Sequence, residues 1–328
     1  MQYLKKYSNF FVSTLATLTL LIPTLASAHV KWFATAHEYV RPYQLTDTPV
    51  IASILIVLLI LSIGVYLEKK LSVPTWYKRF IETSAPTILS IASIGFGLSY
   101  LIFSYKGFVF APNLPALGTV GTFLLAIQAL AGIMILFGFY ERLGGLLLIL
   151  LYILCVKEYG FTSMMDTFEM VGFAFYAMII GRPKWKITES ESMNKIMHHF
   201  HKYGVSILRI GTGINLLILG FSEKILSPSL TQAFLEKYDW NFMHHFFGLT
   251  WFSDYWFAYS AGVVESLFGI FLILGLVTRL TIVALAVFLV TTLILLGPVE
   301  LIGHLPHFSI AAVLLVFGAG SVMHMKKD

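Results

Sequence analysis

The sequence predicts an all-α, polytopic membrane bundle, and three observations carry that prediction. Hydrophobic residues fill 58% of the 328 positions and charged residues only 12%, about half the charge of a soluble domain. Apolar runs of roughly 20 residues recur along the chain, each close to the length that crosses about 30 Å of hydrocarbon. Lysine and arginine gather in the short connections between those runs. A spanning segment must satisfy its own backbone as a helix or a closed barrel, and the unbroken apolarity of these runs indicates helices. The net charge of +5 is therefore a topology signal; the lipid bilayer is the expected partner and nucleic acid is not. Cys155, the single cysteine, lies inside an apolar run, which excludes an intramolecular disulfide, CxxC redox chemistry and a four-cysteine metal site.

At the amino terminus, Lys5 and Lys6 precede an apolar stretch from Phe10 to Leu21, and Ala26-Ser27-Ala28 follows with the small-x-small form of a signal-peptidase site. Residues 1–28 thus read as a signal peptide, with an uncleaved anchor helix as the alternative; both place His29 outside. A periplasmic segment, 29–49, leads into nine apolar runs at 50–67, 86–105, 118–139, 143–160, 168–181, 204–221, 257–277, 280–297 and 308–323. If the first of these starts outside, 16 of the 22 Lys and Arg residues are cytoplasmic, against Lys31, Arg41, Lys106, Lys157, Lys224 and Lys237 outside. The positive-inside rule then selects a bacterial inner membrane with a periplasmic mature amino terminus and a cytoplasmic carboxyl terminus.

An internal repeat organises these runs. Gln128 through Leu143, which includes Gly132, Gly138 and Arg142, aligns without a gap on Glu265 through Leu280, which includes Gly269, Gly275 and Arg279. The numbering offset between the two stretches is that from 128 to 265. Ile94-Gly95-Phe96-Gly97 matches Ile210-Gly211-Thr212-Gly213 at a shorter offset, that from 94 to 210, so the second unit carries an insertion between its first two helices. Two parallel four-helix units result, 86–182 and 204–323, joined by a cytoplasmic linker at 183–203; helix 50–67 stands outside the repeat. The repeated glycines read first as a packing device that lets helix backbones approach.

The second unit carries Leu208-Arg209-Ile210-Gly211-Thr212-Gly213, then Gly220-Phe221-Ser222-Glu223-Lys224, then Glu265-Ser266-Leu267-Phe268-Gly269 through Gly275 to Leu280, and a last apolar helix ending at Gly318. On these residues it resembles the DoxX family and its DoxD-like relatives. The first unit looks like a degenerate copy, with Gln128 in place of Glu265 and no lysine aligned with Lys224. The resemblance implies a four-helix membrane bundle. Some members look like the small subunit of a thiosulfate:quinone oxidoreductase and others like membrane partners in redox assemblies, so a redox neighbourhood is implied without catalysis, since fold does not fix function.

Glu265 is the leading candidate for chemistry. It falls near the middle of its run, where a carboxylate costs at least about 2.5 kcal/mol on insertion scales and is a functional candidate by default. It reads either as a proton-accepting or quinone-binding carboxyl or as a lysine-paired group that pins two helices. Gln128 can hydrogen-bond but cannot relay a proton. Lys224, beside Glu223 at an outer boundary, reads as an anchor for an anionic headgroup or substrate, or as a snorkelling side chain. Arg142 and Arg279 each end a helix on the cytoplasmic side, where a cation suits the helix carboxyl end.

Six of the ten histidines map outside: His29, His37, His244, His245, His304 and His307. Neutral imidazole suits copper, zinc or haem iron, although the spacing matches no standard zinc motif. Asp166, Glu169 and Glu300 lie on the same side. The aromatic insertion, with Trp240, Trp251, Tyr255 and Trp256, reads as an interfacial belt or as a cap that docks a periplasmic partner subunit. Nucleotide loop, nucleophile elbow and HExxH signatures are missing from the sequence. Three functions therefore compete: a membrane component or accessory of a redox system, quinone-linked in one form; a transporter for a small solute or metal; and a non-catalytic scaffold for periplasmic partners.

Overall fold

A computed structural model describes residues 39–245 and 247–325; the expected signal peptide, His29 and His37 lie outside the described residues. All regular structure among these residues is helical. Helix α1, Thr48–Lys70, is followed by α2, Thr75–Tyr105, α3, Gly118–Phe137, and α4, Glu141–Tyr159. A short α5, Phe161–Met165, leads into α6, Phe168–Ile179, and α7, Glu191–His198, lies in the linker. Helix α8, His201–Leu219, runs directly into a π-helical turn, Gly220–Ile225. The insertion forms α9, Pro228–Tyr238, and α10, Phe242–His245, before α11, Asp254–Leu274, α12, Thr278–Leu296, and α13, Pro298–Phe317. Five of these, Thr48–Lys70, Thr75–Tyr105, Gly118–Phe137, His201–Ile225 and Asp254–Leu274, are long and apolar enough to cross a membrane. The chain is a multi-pass, all-α membrane protein.

Each of the nine apolar runs falls on a helix, but two helices start well before hydropathy indicates. Helix α2 begins at Thr75 instead of 86, passing through Pro86. Its extra turns are held by Tyr77, whose hydroxyl donates to Leu315 O at 2.8 Å. Helix α13 begins at Pro298 instead of 308. Proline suits a first helical turn because its missing N–H would have no intrahelical partner there, and Pro306 does not interrupt the helix.

The eight helices of the two expected units close into a ring. Neighbours run α2, α3, α4, α6, α8, α11, α12, α13 and back to α2. The last helix of each segment therefore packs most closely on the first helix of the other: α6 on α8, and α13 on α2. One apolar core runs through both segments, from Leu89 and Phe96 to Phe173, Leu208 and Leu314, with Phe96 and Phe173 stacked at its centre. Helix α1 lies outside the ring against α11. There Ser53 and Tyr259 share a hydrogen bond of 2.6 Å, and Glu68 Oε2 accepts from Val277 N. Most of the remaining surface of α1 is exposed apolar side chain, including Ile54, Leu55, Leu58 and Leu59, as a lipid-facing helix requires.

Candidate functional site

The π-helical turn at Gly220–Ile225 fixes the geometry around Glu265. A π turn widens a helix by one residue and often marks functional positions. Here it coincides with a close backbone approach to α11: a Cβ on Gly220 would lie 2.5 Å from Ser266 Oγ, and one on Gly262 would lie 2.8 Å from both Gly220 O and Lys224 Cβ. Only glycine permits that contact at both positions. It lays Lys224 along α11, and Lys224 Nζ donates to Glu265 Oε2 at 2.6 Å. The two side chains are 11% and 21% exposed, so the pair is sheltered yet reachable. Glu223 is fully buried, lies within Coulombic reach of the Lys224 ammonium, and its carbonyl accepts from Thr231 Oγ1. The turn thus gathers one cation and two carboxylates, which can bind a polar ligand atom and exchange a proton.

Gln128, which stands where the expected repeat sets Glu265, is engaged within the fold. It is fully buried; its Oε1 accepts from Phe110 N at 2.7 Å, and its Nε2 donates to Ser104 Oγ and Phe108 O at 3.0 Å each and to Tyr100 O. These bonds fasten the connection after α2, where Phe110 holds a positive φ. With its donors and acceptor engaged within the chain, the side chain is not placed to bind a ligand.

Among the described residues, the histidines expected on the outer face lie in two separate places. His244 and His245 lie at the surface of the insertion with their rings stacked 4.8 Å apart, and His245 Nε2 meets Asp239 Oδ1 at 2.7 Å. His304 and His307, expected outside the last span, instead lie within α13 and are 6% and 8% exposed. The early start of α13 turns them into the bundle, where His307 Nε2 faces Glu169 Oε1 at 3.5 Å. Among the described residues no group of three or more His, Cys, Asp or Glu could hold a metal ion. The aromatic insertion folds back on the bundle, with Trp240 stacked on Phe288 of α12.

Four arginines that sequence reading treated as topology charges or helix-end cations are built into the fold. Arg142 donates to the carbonyls of Met178, Ile179 and Ile180 at the end of α6, and Arg279 donates to those of Leu315 and Val316 at the end of α13. Arg182 forms a buried ion pair with Glu141 at 3.0 Å, completed by Ser93 Oγ donating to Glu141 Oε1 at 2.8 Å. Arg209 is fully buried and donates to the carbonyls of Leu272, Ile273, Ala319 and Met323. A sequence signal for Glu141 existed, since a carboxylate stood beside a repeated arginine at a helix boundary; nothing in the spacing paired it with Arg182.

Lys224 and Glu265 both fall in the segment that comparison with known proteins matches. No curated protein and no solved structure matches the chain. The family model DoxX matches residues 204–298, a segment that contains α8, the π turn, the insertion, α11 and α12. Through this segment, which is less than half of the chain, the protein is similar to the DoxX family.

Proposed function

We propose that the protein is an inner-membrane component of a redox system and that the Lys224–Glu265 pair is its quinone-binding site. The observation that carries this reading is a reachable ion pair inside a membrane-spanning bundle, built on a π turn in the segment that matches DoxX. Intramembrane ionisable groups are expensive and default to function. A bound quinone would supply two-electron, two-proton chemistry. Lys224 Nζ would donate a hydrogen bond to a quinone carbonyl oxygen, and the Glu265 carboxyl would hold a proton beside it, with Glu223 keeping the turn anionic enough to retain the lysine charge. The electrons would come from a periplasmic electron-donating partner protein.

Two further readings accompany this one. The positive residues support a cytoplasmic location for the end of the bundle that carries Arg142, Arg182, Arg209 and Arg279. Arg142 bonds the carbonyls of Met178 and Ile179, and Arg279 bonds those of Leu315 and Val316, which stand at the aligned positions of the repeat. That equivalence supports descent of the two segments from one duplicated unit.

Quinone extraction and titration test the proposal. Protein purified in native lipid is expected to carry quinone, and added quinone is expected to quench tryptophan fluorescence from Trp240, Trp251 and Trp256. Glu265→Gln and Lys224→Met are expected to weaken that binding at least tenfold. Absence of both co-purified and titratable quinone, or respiratory activity unchanged in Glu265→Gln, would overturn it.

A further inference from the structure

The two four-helix segments bring opposite acid–base chemistry to one buried point. Helix α6 supplies Glu169 in its first turn, and the residue three positions earlier is Asp166; they are 2% and 3% exposed. Helix α13 supplies His304 and His307 on successive turns, with ring centroids 5.1 Å apart. Glu169 Oε1 and His307 Nε2 lie 3.5 Å apart, longer than the roughly 2.7–2.9 Å of a locked charge-assisted bond. The second carboxylate oxygen of Glu169 is buried with no hydrogen bond. Other ionisable groups facing this point are Asp166 and the phenols of Tyr100 and Tyr152. Tyr100 directs its hydroxyl to Met170 Sδ and Tyr152 directs its hydroxyl to Met164 O.

A bare buried carboxylate beside a neutral imidazole would leave an uncompensated charge in a low-dielectric interior, which is costly. The pair avoids that cost by holding one proton, either on the carboxyl or on the imidazole. In the register that sets Gln128 on Glu265, Glu169 corresponds to Pro306 and Asp166 to Gly303, while His307 corresponds to Met170 and His304 to Thr167. Neither segment therefore carries both halves.

We propose that Glu169 and His307 form a proton-storage site that exists only where the two segments meet. Uptake adds one proton from water to the pair. Transfer within it breaks the O–H bond of the Glu169 carboxyl and forms the N–H bond of His307 Nε2, converting a neutral pair into a carboxylate–imidazolium pair with no change in net charge. The His304 ring lies beside the imidazole, tilted by 52° to it, and Asp166 lies beside the carboxyl, so both flanks of the site are polar. The contact is looser than the buried Arg182–Glu141 ion pair, at 3.5 Å against 3.0 Å, which leaves room for a proton to move.

The proton is the probe. In pH-difference infrared spectra of the full-length protein in lipid nanodiscs, a protonated-carboxyl band is expected to titrate together with an imidazole signal. Glu169→Gln is expected to remove the band, and Asp166→Asn and Glu265→Gln to retain it; the last separates this site from the quinone reading. His307→Gln is expected to change the proton affinity of the carboxyl at least tenfold, about one pH unit. Nuclear magnetic resonance of wild-type protein carrying nitrogen-labelled histidine reads the same event without any substitution, as a ring nitrogen gaining a proton over the same pH interval. If Glu169→Gln does not fold, Glu169→Asp keeps the carboxyl and displaces its band. A wild-type protein with no such band, a band that survives Glu169→Gln, or a midpoint unmoved by His307→Gln would overturn the proposal.

Discussion

Positions 128 and 265 stand at the same place in the two four-helix segments, yet one is a peg and the other an ion-pair partner. In the first segment Gln128 Nε2 donates to Phe108 O; in the second, Lys224 Nζ donates to Glu265. Position 108 aligns with 224 in the register of the first helices, and 128 aligns with 265 in the register of the second. The same pair of positions is therefore tied together twice, once by neutral hydrogen bonds and once by charge. The difference traces to backbone approach. Gly220 and Gly262 let α8 and α11 touch, whereas the corresponding positions in the first segment hold Ser104 and Leu125, and Ser104 Oγ accepts from Gln128. Without the two glycines and the lysine the positions form a packing unit; with them they form a sheltered ion pair.

The arginine-bearing end of the bundle repeats the lesson in another form. Gly138 and Gly275 close α3 and α11 with φ of 64° and 68°, the left-handed cap for which glycine carries no Cβ penalty. Beneath each cap a guanidinium satisfies helix-end carbonyls, which otherwise lack partners. In the first segment Arg182, after α6, reaches Ile135 O; in the second, Arg209, within α8, reaches Leu272 O. The two carbonyls stand at the same numbering offset as Gln128 and Glu265, but the arginines come from different parts of the chain. Arg182 has a buried carboxylate partner, while Arg209 bonds carbonyls only.

That contrast yields the largest expected effect. Arg182→Ala strands Glu141 as a buried, unpaired carboxylate and is expected to destabilise the bundle by about 3–5 kcal/mol. Arg209→Ala leaves carbonyls rather than a charge, and its cost is expected to be about 1.5–3 kcal/mol, the scale of hydrogen bonds to a charged group. Thermal unfolding in a matched detergent reads both. The assignment of unlike roles fails if the two losses are equal, and the restoring variant is Glu141→Gln combined with Arg182→Ala, which removes the stranded charge.

A smaller effect separates Gln128 from Glu265 by exchanging them. Gln128→Glu replaces an amide donor with an acceptor facing Tyr100 O and Phe108 O, so the expected cost is about 1–3 kcal/mol for unsatisfied buried groups, without gain of ligand binding. Glu265→Gln keeps shape and a hydrogen-bond acceptor for Lys224, and Glu223 stays within Coulombic reach of the ammonium, so its stability loss is expected to be smaller than that of Gln128→Glu, while quinone binding falls. Stability and binding measured on the same two proteins would move in opposite proportion. If Glu265→Gln lost as much stability as Gln128→Glu, position 265 would be a peg as well.

How far this was legible in the sequence differs between fold and site. The apolar runs marked every spanning helix because charge-poor segments in lipid have no alternative to internal hydrogen bonding. Hydropathy is blind to helix that continues beyond the apolar run, so the first turns of α2 and α13 were missed, and with them the burial of His304 and His307. Glu265 and Lys224 were each legible as candidates from charge in an apolar context. Their pairing across the whole insertion was not, because it depends on a π turn and on two glycines whose spacing resembles ordinary packing. Likewise the exchange of last helices between the segments, which brings Glu169 to His307, depends on tertiary packing that leaves no local pattern.

The smallest effect concerns the linker, where the segments differ in what covers their last helix. Arg142 Nε donates to Asn194 Oδ1 at 2.6 Å, and Asn194 Nδ2 donates to Glu189 Oε2 at 2.8 Å, so α7 is clasped to the end of α6. The corresponding Arg279 lies over the ring of Tyr77 instead. Partial burial pushes the Glu189 carboxyl up, but hydrogen bonds from Lys186 and Asn194 outweigh it and hold the group below its usual value. A carboxylate held lower in the folded state contributes stability above its unfolded value, roughly pH 4.3, and loses it as pH falls through the folded value. Because the pair with Lys186 is partly exposed, its contribution is expected at no more than about 1 kcal/mol. The difference in melting between wild type and Glu189→Gln is thus expected to be small and constant near neutral pH and to vanish under acid. A difference that grew on acidification would mean that Glu189 is held above its usual value, and the clasp on α6 would then have to rest on Asn194 and Arg142 alone.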